Sequence, residues 1–315
     1  MKLDKLFPVI GILLFAYIVI RISPAKIWFS LVNSDFRYIL LALLLFVPIP
    51  LLQAAKWGYI LQKQGIKVKF KNLLRLQLIS MFYGEVTPGR LGTLIKIPYL
   101  CKETKKPASE CSSSVIIDRL FDLVSVALFA ALGAMLVLRK FAGFFYFSLA
   151  VFFGLLIAMF IFTNKKTSQI MLRIIFRFLV PEKFKEKARI SFDRFYGNLP
   201  PLTKLIPAFL ITLLVWSIIY TQSYLVALAF SVKVPYLYFI TTFAIVTVIS
   251  LVPITLAGLG TREATLLTLL SPYALLPEKI VGFSILLSVI SIIIYSLAGL
   301  WFIFKIKKKK IARNK

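Results

Sequence analysis

Apolar residues fill long stretches of this chain, and polar residues gather in the gaps between them. A helix needs about 20 apolar residues to cross a bilayer, with a range near 17–25. Runs of that kind cover residues 6–21, 37–55, 115–138, 141–163, 205–230 and 281–304, which predicts six full spans. Two further apolar regions, 72–100 and 236–277, are each interrupted by glycine and charge. The first interruption reads Glu85-Val86-Thr87-Pro88-Gly89-Arg90-Leu91-Gly92. The second reads Thr255-Leu256-Ala257-Gly258-Leu259-Gly260-Thr261-Arg262-Glu263. Pro88, Gly89, Gly92, Gly258 and Gly260 break helices and serve as hinges. Broken backbone at bilayer depth survives only where protein buries it or a water-filled cavity solvates it. Both regions are therefore expected to be broken or re-entrant helical hairpins. Two tilted spans joined by a Gly-rich turn are the alternative, which suits 236–277 by length and 72–100 poorly.

Loop charge orients this pattern. With the N-terminus in the cytoplasm, segments 1–5, 56–71, 101–114, 164–204 and 305–315 fall inside and hold 27 Lys and Arg. Segments 21–37, 139–140, 231–235 and 277–280 fall outside and hold 7. Lysine and arginine favour the cytoplasmic side, so both termini are expected there, in the cytoplasmic membrane. Region 72–100 must then enter and leave from the inside, and region 236–277 from the outside. The first half, about 1–138, runs span, span, inside hairpin, span. The second half, about 141–304, runs span, span, outside hairpin, span. That is the order of an inverted-topology repeat whose two hairpin tips meet near the midplane.

Composition agrees with this reading. The chain has 315 residues, is 60% hydrophobic and has a mean hydropathy of +0.89. Soluble domains are about 45–50% apolar. The expectation is an all-α polytopic membrane protein, with residues 1–315 as a single integral membrane domain. Lys2 and Lys5 before an apolar run resemble a signal peptide, but no small-x-small cleavage site follows, so an uncleaved first span is expected. The formal charge of +27 is dispersed among loops rather than gathered on one face, which points to anionic lipids as partners and argues against nucleic acid. The basic loop 164–204 sets Arg173, Ile174, Phe176, Arg177 and Phe178, then Lys183 to Arg194, in an amphipathic pattern suited to the inner leaflet. The tail 305–315 is a polybasic anchor of the same kind. Cys101 and Cys111 fall in a cytoplasmic segment and are expected as reduced thiols. The chain contains no histidine, which excludes histidine-dependent catalysis and removes the commonest metal ligand. No Walker motif, metal-ligand cluster or nucleophile beside a base is present, so neither a cofactor nor a metal is expected.

The charges at depth are the candidate chemistry. They are Arg75, Arg90, Lys96, Arg119 and Arg262, with Glu85, Asp118, Asp122 and Glu263. Asp118 and Asp122, four residues apart, share one helix face. One reading is mutual neutralisation, with Glu263 on Arg90 or Arg262 and with Asp118 or Asp122 on Arg119. The other is that the arginines contact an anionic headgroup, whose phosphate suits the paired donors of a guanidinium, while the acids orient the arginines or carry protons. Half-helix N-termini after Gly92 and Gly260 would add free N–H groups.

Three motifs carry a resemblance. Lys56-Trp57 through Leu100 with Pro88-Gly89-Arg90-Leu91-Gly92, then Asp118-Arg119-Leu120-Phe121-Asp122, then Gly258-Leu259-Gly260-Thr261-Arg262-Glu263 resemble, in family order, the lysylphosphatidylglycerol synthase transmembrane family. The resemblance implies a flippase-like domain such as the flippase half of multiple peptide resistance factors. The chain ends at Lys315 without the soluble acyltransferase of those proteins, so lysyl transfer is not carried over. The expectation is a translocase, not an enzyme, for a phosphate-bearing lipid: a phospholipid, an aminoacyl-phospholipid or a polyprenyl-phosphate carrier. Its substrate-binding set is Arg90, Arg262, Glu85, Glu263, Lys96, Arg119, Asp118 and Asp122. The alternatives are a membrane enzyme of lipid-linked sugar metabolism using Asp118 and Asp122, and a non-transporting partner of a separately encoded synthase or glycosyltransferase.

Overall fold

A computed structural model describes residues 6–136, 142–165, 167–168, 182–252, 255 and 258–311. Every regular element among them is helical. Four helices are long and apolar enough to cross a membrane: Phe36–Lys63, Gly143–Ile161, Leu202–Ala229 and Pro277–Lys305. A fifth crossing of that kind would be a bent pair, Ile12–Ile22 with Pro24–Val32, whose axes meet at 79°.

Prolines and glycines explain where the helices change direction. α1 (Leu6–Ile22) ends at Ser23, which takes a left-handed φ of 85°, and Pro24 opens α2 (Pro24–Val32) at a position that needs no N–H. Residues 24–32, expected within an exterior loop, are thus helical. α3 (Phe36–Leu44) and α4 (Pro48–Lys63) form one path broken at Pro48. Its helical run continues to Lys63, eight residues beyond the expected end at 55. Lys56, read from sequence as a loop charge, therefore sits inside a helix and is buried. α5 (Phe70–Glu85) leads into a 3-10 segment, Pro88–Ile95, and then α6 (Lys96–Thr104). α7 (Ala108–Leu136) begins seven residues before the expected 115. α8 (Ala142–Thr163) and α9 (Glu182–Gly197) follow. The basic amphipathic pattern from Lys183 to Arg194 is helical, whereas Arg173 to Phe178 lie outside the described residues. α10 (Ile206–Ala229), α11 (Tyr236–Leu251), α12 (Thr261–Leu269) and α13 (Pro277–Ile311) complete the order. Cys101 and Cys111 are both free.

Lipid tails are as apolar as leucine, so helices in a bilayer associate through close packing and internal hydrogen bonds rather than water exclusion. Two close crossings define the bundle. α7 packs along α11, and α5 packs along α13. A Cβ placed on Gly133 of α7 would lie 1.9 Å from Thr241 Cβ of α11. A Cβ placed on Gly299 of α13 would lie 2.5 Å from Phe82 Cβ of α5. Each crossing thus depends on one missing side chain. Hydroxyl groups inside the bundle mostly bond back to their own helix, as Thr212, Ser217, Thr247 and Ser250 do four residues back.

Four hydrophobic clusters form among the described residues, and two of them are large. The larger joins Trp216, Tyr220, Phe239, Phe243 and Phe283 from α10, α11 and α13. The smaller joins Trp57, Leu61, Leu73, Leu100 and Val115 from α4 to α7.

Candidate functional site

Both sequence interruptions are breaks in helical structure, and each is built from local bonds. In the first, Gly89 and Arg90 take left-handed φ angles of 59° and 56°. That conformation is strained for arginine. Local bonds hold it: Arg90 N–H donates to the Thr87 carbonyl, and the Thr93 hydroxyl donates to the Arg90 carbonyl. Thr87 Oγ1 donates to the Tyr83 carbonyl at 2.8 Å and accepts from Gly92 N–H at 2.7 Å. A Cβ on Gly92 would lie 2.1 Å from the Tyr83 carbonyl oxygen, so glycine is required there. The α-helix after this break starts at Lys96, not directly after Gly92, because the 3-10 segment intervenes. Pro88 opens that segment.

In the second break Gly258 and Gly260 have φ angles of 79° and 81°. α12 starts at Thr261, directly after Gly260. The Glu263 carboxylate reaches back to the Gly260 N–H at 2.8 Å, satisfying a donor that the helix start leaves free. Leu256 and Ala257 of this motif lie outside the described residues.

The two breaks meet at one cavity of about 180 Å³. Glu85, Gly89, Arg90, Lys96, Asp118, Arg119, Asp122 and Arg262 all line it. Gly92, Gly258, Gly260 and Glu263 do not; they shape the backbone or stand behind Arg262. Trp216 and Phe243 of the larger core and Val115 of the smaller one also face it, so the cavity lies where the two cores abut.

Each arginine of the two motifs holds the glutamate of its own motif. Arg90 donates to Glu85 at 3.1 Å through one nitrogen, with its side chain 43% exposed. Arg262 donates through Nε and one terminal nitrogen to Glu263 Oε1, at 3.1 and 2.8 Å, and also to the Ser284 carbonyl at 3.0 Å. Glu263 is fully buried and accepts the Ser284 hydroxyl as well. No pair links one motif to the other among the described residues.

The aspartates pair differently from the sequence expectation. They take lysines, not Arg119. Lys56 Nζ lies 2.7 Å from Asp118 and 2.8 Å from Asp122, and Lys96 Nζ lies 2.8 Å from the other oxygen of Asp118. Lys96 also sits over the Trp57 ring, 4.8 Å from its centre. The physical reason is reach: Lys56 on α4 and Lys96 on α6 face the aspartates across the smaller core, whereas Arg119, one residue round the helix, points to the first break and donates to the Gly89 carbonyl at 3.1 Å. Lys56 was the functional candidate that sequence reasoning counted as topology. Gln53, Gln77 and Gln222 are further polar members of the cavity wall. No group of three or more Cys, Asp and Glu side chains suited to a metal occurs among the described residues.

With the paired arginine motifs and the central charge cluster in place, the relatives can be compared. Residues 8–299 match the family profile described as Lysylphosphatidylglycerol synthase TM region. The chain belongs to this family. The profile names a transmembrane region, and the match runs through both helix breaks and the aspartate helix. Among individual relatives the chain is 25% identical over 277 residues to a UPF0104 membrane protein of Archaeoglobus fulgidus, covering 81% of this chain and 82% of the relative. It is 26% identical over 285 residues to one of Methanothermobacter thermautotrophicus, covering 79% and 78%. It is also 28% identical over 116 residues to one of Methanocaldococcus jannaschii. That match, and one to a Pyrococcus horikoshii relative, span 34% and 32% of the relative's length, about a third. This is thus a multi-pass membrane protein of the Lysylphosphatidylglycerol synthase TM region family.

Proposed function

We propose that this protein is a translocase for a phosphate-bearing lipid of the cytoplasmic membrane. The carrying observation is that two helix breaks from opposite halves of the sequence line one charged cavity inside an apolar bundle. Charges at bilayer depth cost roughly 2.5–3.5 kcal/mol each on insertion scales, so a cavity that gathers them, even paired, marks a site for a polar ligand. Arg90 and Arg262 meet the phosphate, and Glu85 and Glu263 hold them in position beforehand. The acyl chains stay in lipid while the headgroup crosses. No nucleotide-binding motif is present in the sequence, so movement runs downhill or is ion-coupled. Liposomes carrying labelled lipid in one leaflet test this. Arg262→Ala is expected to slow exchange about tenfold or more, the value of one charge-assisted hydrogen bond. Equal rates for wild type and variant would remove Arg262 from the mechanism.

The topology belongs to the same proposal. α7 is read as the sixth span, beside the four long helices and the bent pair, and the two halves form an inverted repeat with both termini in the cytoplasm. Support comes from the crossings. α5, the first arm of one break, packs on α13, the span that follows the other break; α11 and α7 repeat the arrangement reciprocally. A glycine opens each crossing. Single cysteines at Gly65, Lys106, Lys233 and Lys279 probe sidedness with an impermeant maleimide. Labelling of 65 and 106 from the inside and of 233 and 279 from the outside is expected; 106 and 233 on one side would sink the repeat.

A further inference from the structure

Four cations and three carboxylates line the cavity, Lys96, Arg90, Arg119 and Arg262 against Glu85, Asp118 and Asp122, and behind the wall Lys56 is bonded to the aspartates and Glu263 to Arg262. One positive charge is left over. The ion pairs locate it, because each of the four carboxylates already has a cation within 3.1 Å, and none of those cations is Arg119. Among the described residues Arg119 makes one hydrogen bond, to a neutral carbonyl on Gly89. A guanidinium has five N–H donors in a rigid fork, so this contact fixes the plane and leaves most donors unused. A second donor in the wall is also vacant. Trp216 is 4% exposed, lines the same cavity, and its ring N–H has no acceptor. Buried donors without partners are rare, and each asks for a ligand or a water.

We infer that the site selects a headgroup carrying a single negative charge, a phosphodiester, with Arg119 as its anchor and the Trp216 N–H as a second donor. This rests on the translocase reading and narrows its substrate class. The argument is one of charge balance. A monoanion brings the cluster to neutrality in a low-dielectric setting. A phosphomonoester, whose second pKa is about 6, is close to dianionic at pH 8 and would leave a surplus negative charge at depth. Arg90 and Arg262 contribute once the ligand is near, but each is bonded to its own glutamate; Arg119 bonds no carboxylate among the described residues and keeps donors free.

The experiment measures binding of phosphatidylglycerol and phosphatidic acid with identical chains to the purified full-length protein in detergent at pH 8, by native mass spectrometry or quenching of tryptophan fluorescence. Wild type is expected to bind the diester lipid about tenfold more tightly than the monoester. Arg119→Gln is expected to lose about tenfold for the diester. Asp122→Asn, which adds a second surplus positive charge, is expected to narrow or reverse the preference. That gain keeps the test informative if Arg119→Gln fails to fold. Equal or stronger binding of the monoester by wild type, or an unchanged ratio in Asp122→Asn, would overturn the charge match. Binding of neither lipid, with no exchange in liposomes, would overturn the translocase reading instead. Glycerophosphoglycerol, the same headgroup without chains, separates lipid from free ligand. Weak competition is expected, and competition as strong as the lipid itself would overturn the lipid source.

Discussion

Lys56→Met is expected to destabilise the protein by about 3–5 kcal/mol, the usual cost of stranding buried charge by removing its partner. Lys56 is 1% exposed, and its ammonium is shared by Asp118 and Asp122. Methionine keeps the length and apolar stem of lysine but removes that charge. Asp118 retains Lys96 at 2.8 Å, while Asp122 retains no ion-pair partner among the described residues. The loss should therefore sit mainly on Asp122. Adding Asp122→Asn should recover more than half of it, because the stranded charge is gone. A double-mutant cycle on reversible unfolding in mixed detergent measures both terms. Within a bilayer the unfolded helices also find partners, which places the result toward the lower end. Loss below about 1 kcal/mol, or no recovery in the double variant, would show that the cluster is solvated rather than structural.

The same lysine marks the boundary of what the sequence discloses. Hydropathy marks the four long apolar helices, because a bilayer demands about 20 apolar residues per crossing, but it does not foresee the 79° bend between α1 and α2. It located both breaks too, since Pro88, Gly89, Gly258 and Gly260 have few uses in an apolar run other than to bend it. Hydropathy does not tell which charges turn inward at a helix end. Lys56 and Lys63 lie on one helix and read alike, yet Lys56 is buried and Lys63 is exposed. Only the packing of α4 against α7 separates them. Ser288, Ser291 and Tyr295 recur at helical spacing on α13, as Gln77, Ser80 and Gly84 do on α5, and both stripes line the cavity. A polar stripe at helical period within an apolar span is what a water-filled wall requires. The pairing of the aspartates with lysines was not legible, because it depends on three helices distant in sequence. The expectation that Arg119 neutralises them follows from sequence proximity; Asp118, one residue away, does not face it, and Asp122, three residues away, is close enough to do so but is bonded by Lys56 while Arg119 reaches the Gly89 carbonyl.

Glu263→Ala is expected to cost about 3–5 kcal/mol, comparable to the loss of Lys56 and for a related reason. Glu263 is fully buried and accepts four hydrogen bonds from three partners. It takes two donors from Arg262, the hydroxyl of Ser284 and the N–H of Gly260. Alanine strands Arg262, whose side chain is 13% exposed, and leaves the Gly260 N–H at the start of α12 without its acceptor. Gly260 stands at φ 81°, so the break itself rests partly on that bond. Glu263→Gln separates the contributions. Its amide keeps an oxygen for Arg262 or Gly260 but loses the charge and one acceptor, so a smaller loss of about 1.5–3 kcal/mol is expected, the value of hydrogen bonds to charged groups. Thermal unfolding of both variants in detergent, with hydrogen exchange across residues 258–269, distinguishes them. Alanine should raise exchange at the start of α12, and glutamine should leave it close to wild type. Equal losses in the two variants, with unchanged exchange, would mean that Glu263 acts only as a counter-charge to Arg262 and that the glycines alone hold the break.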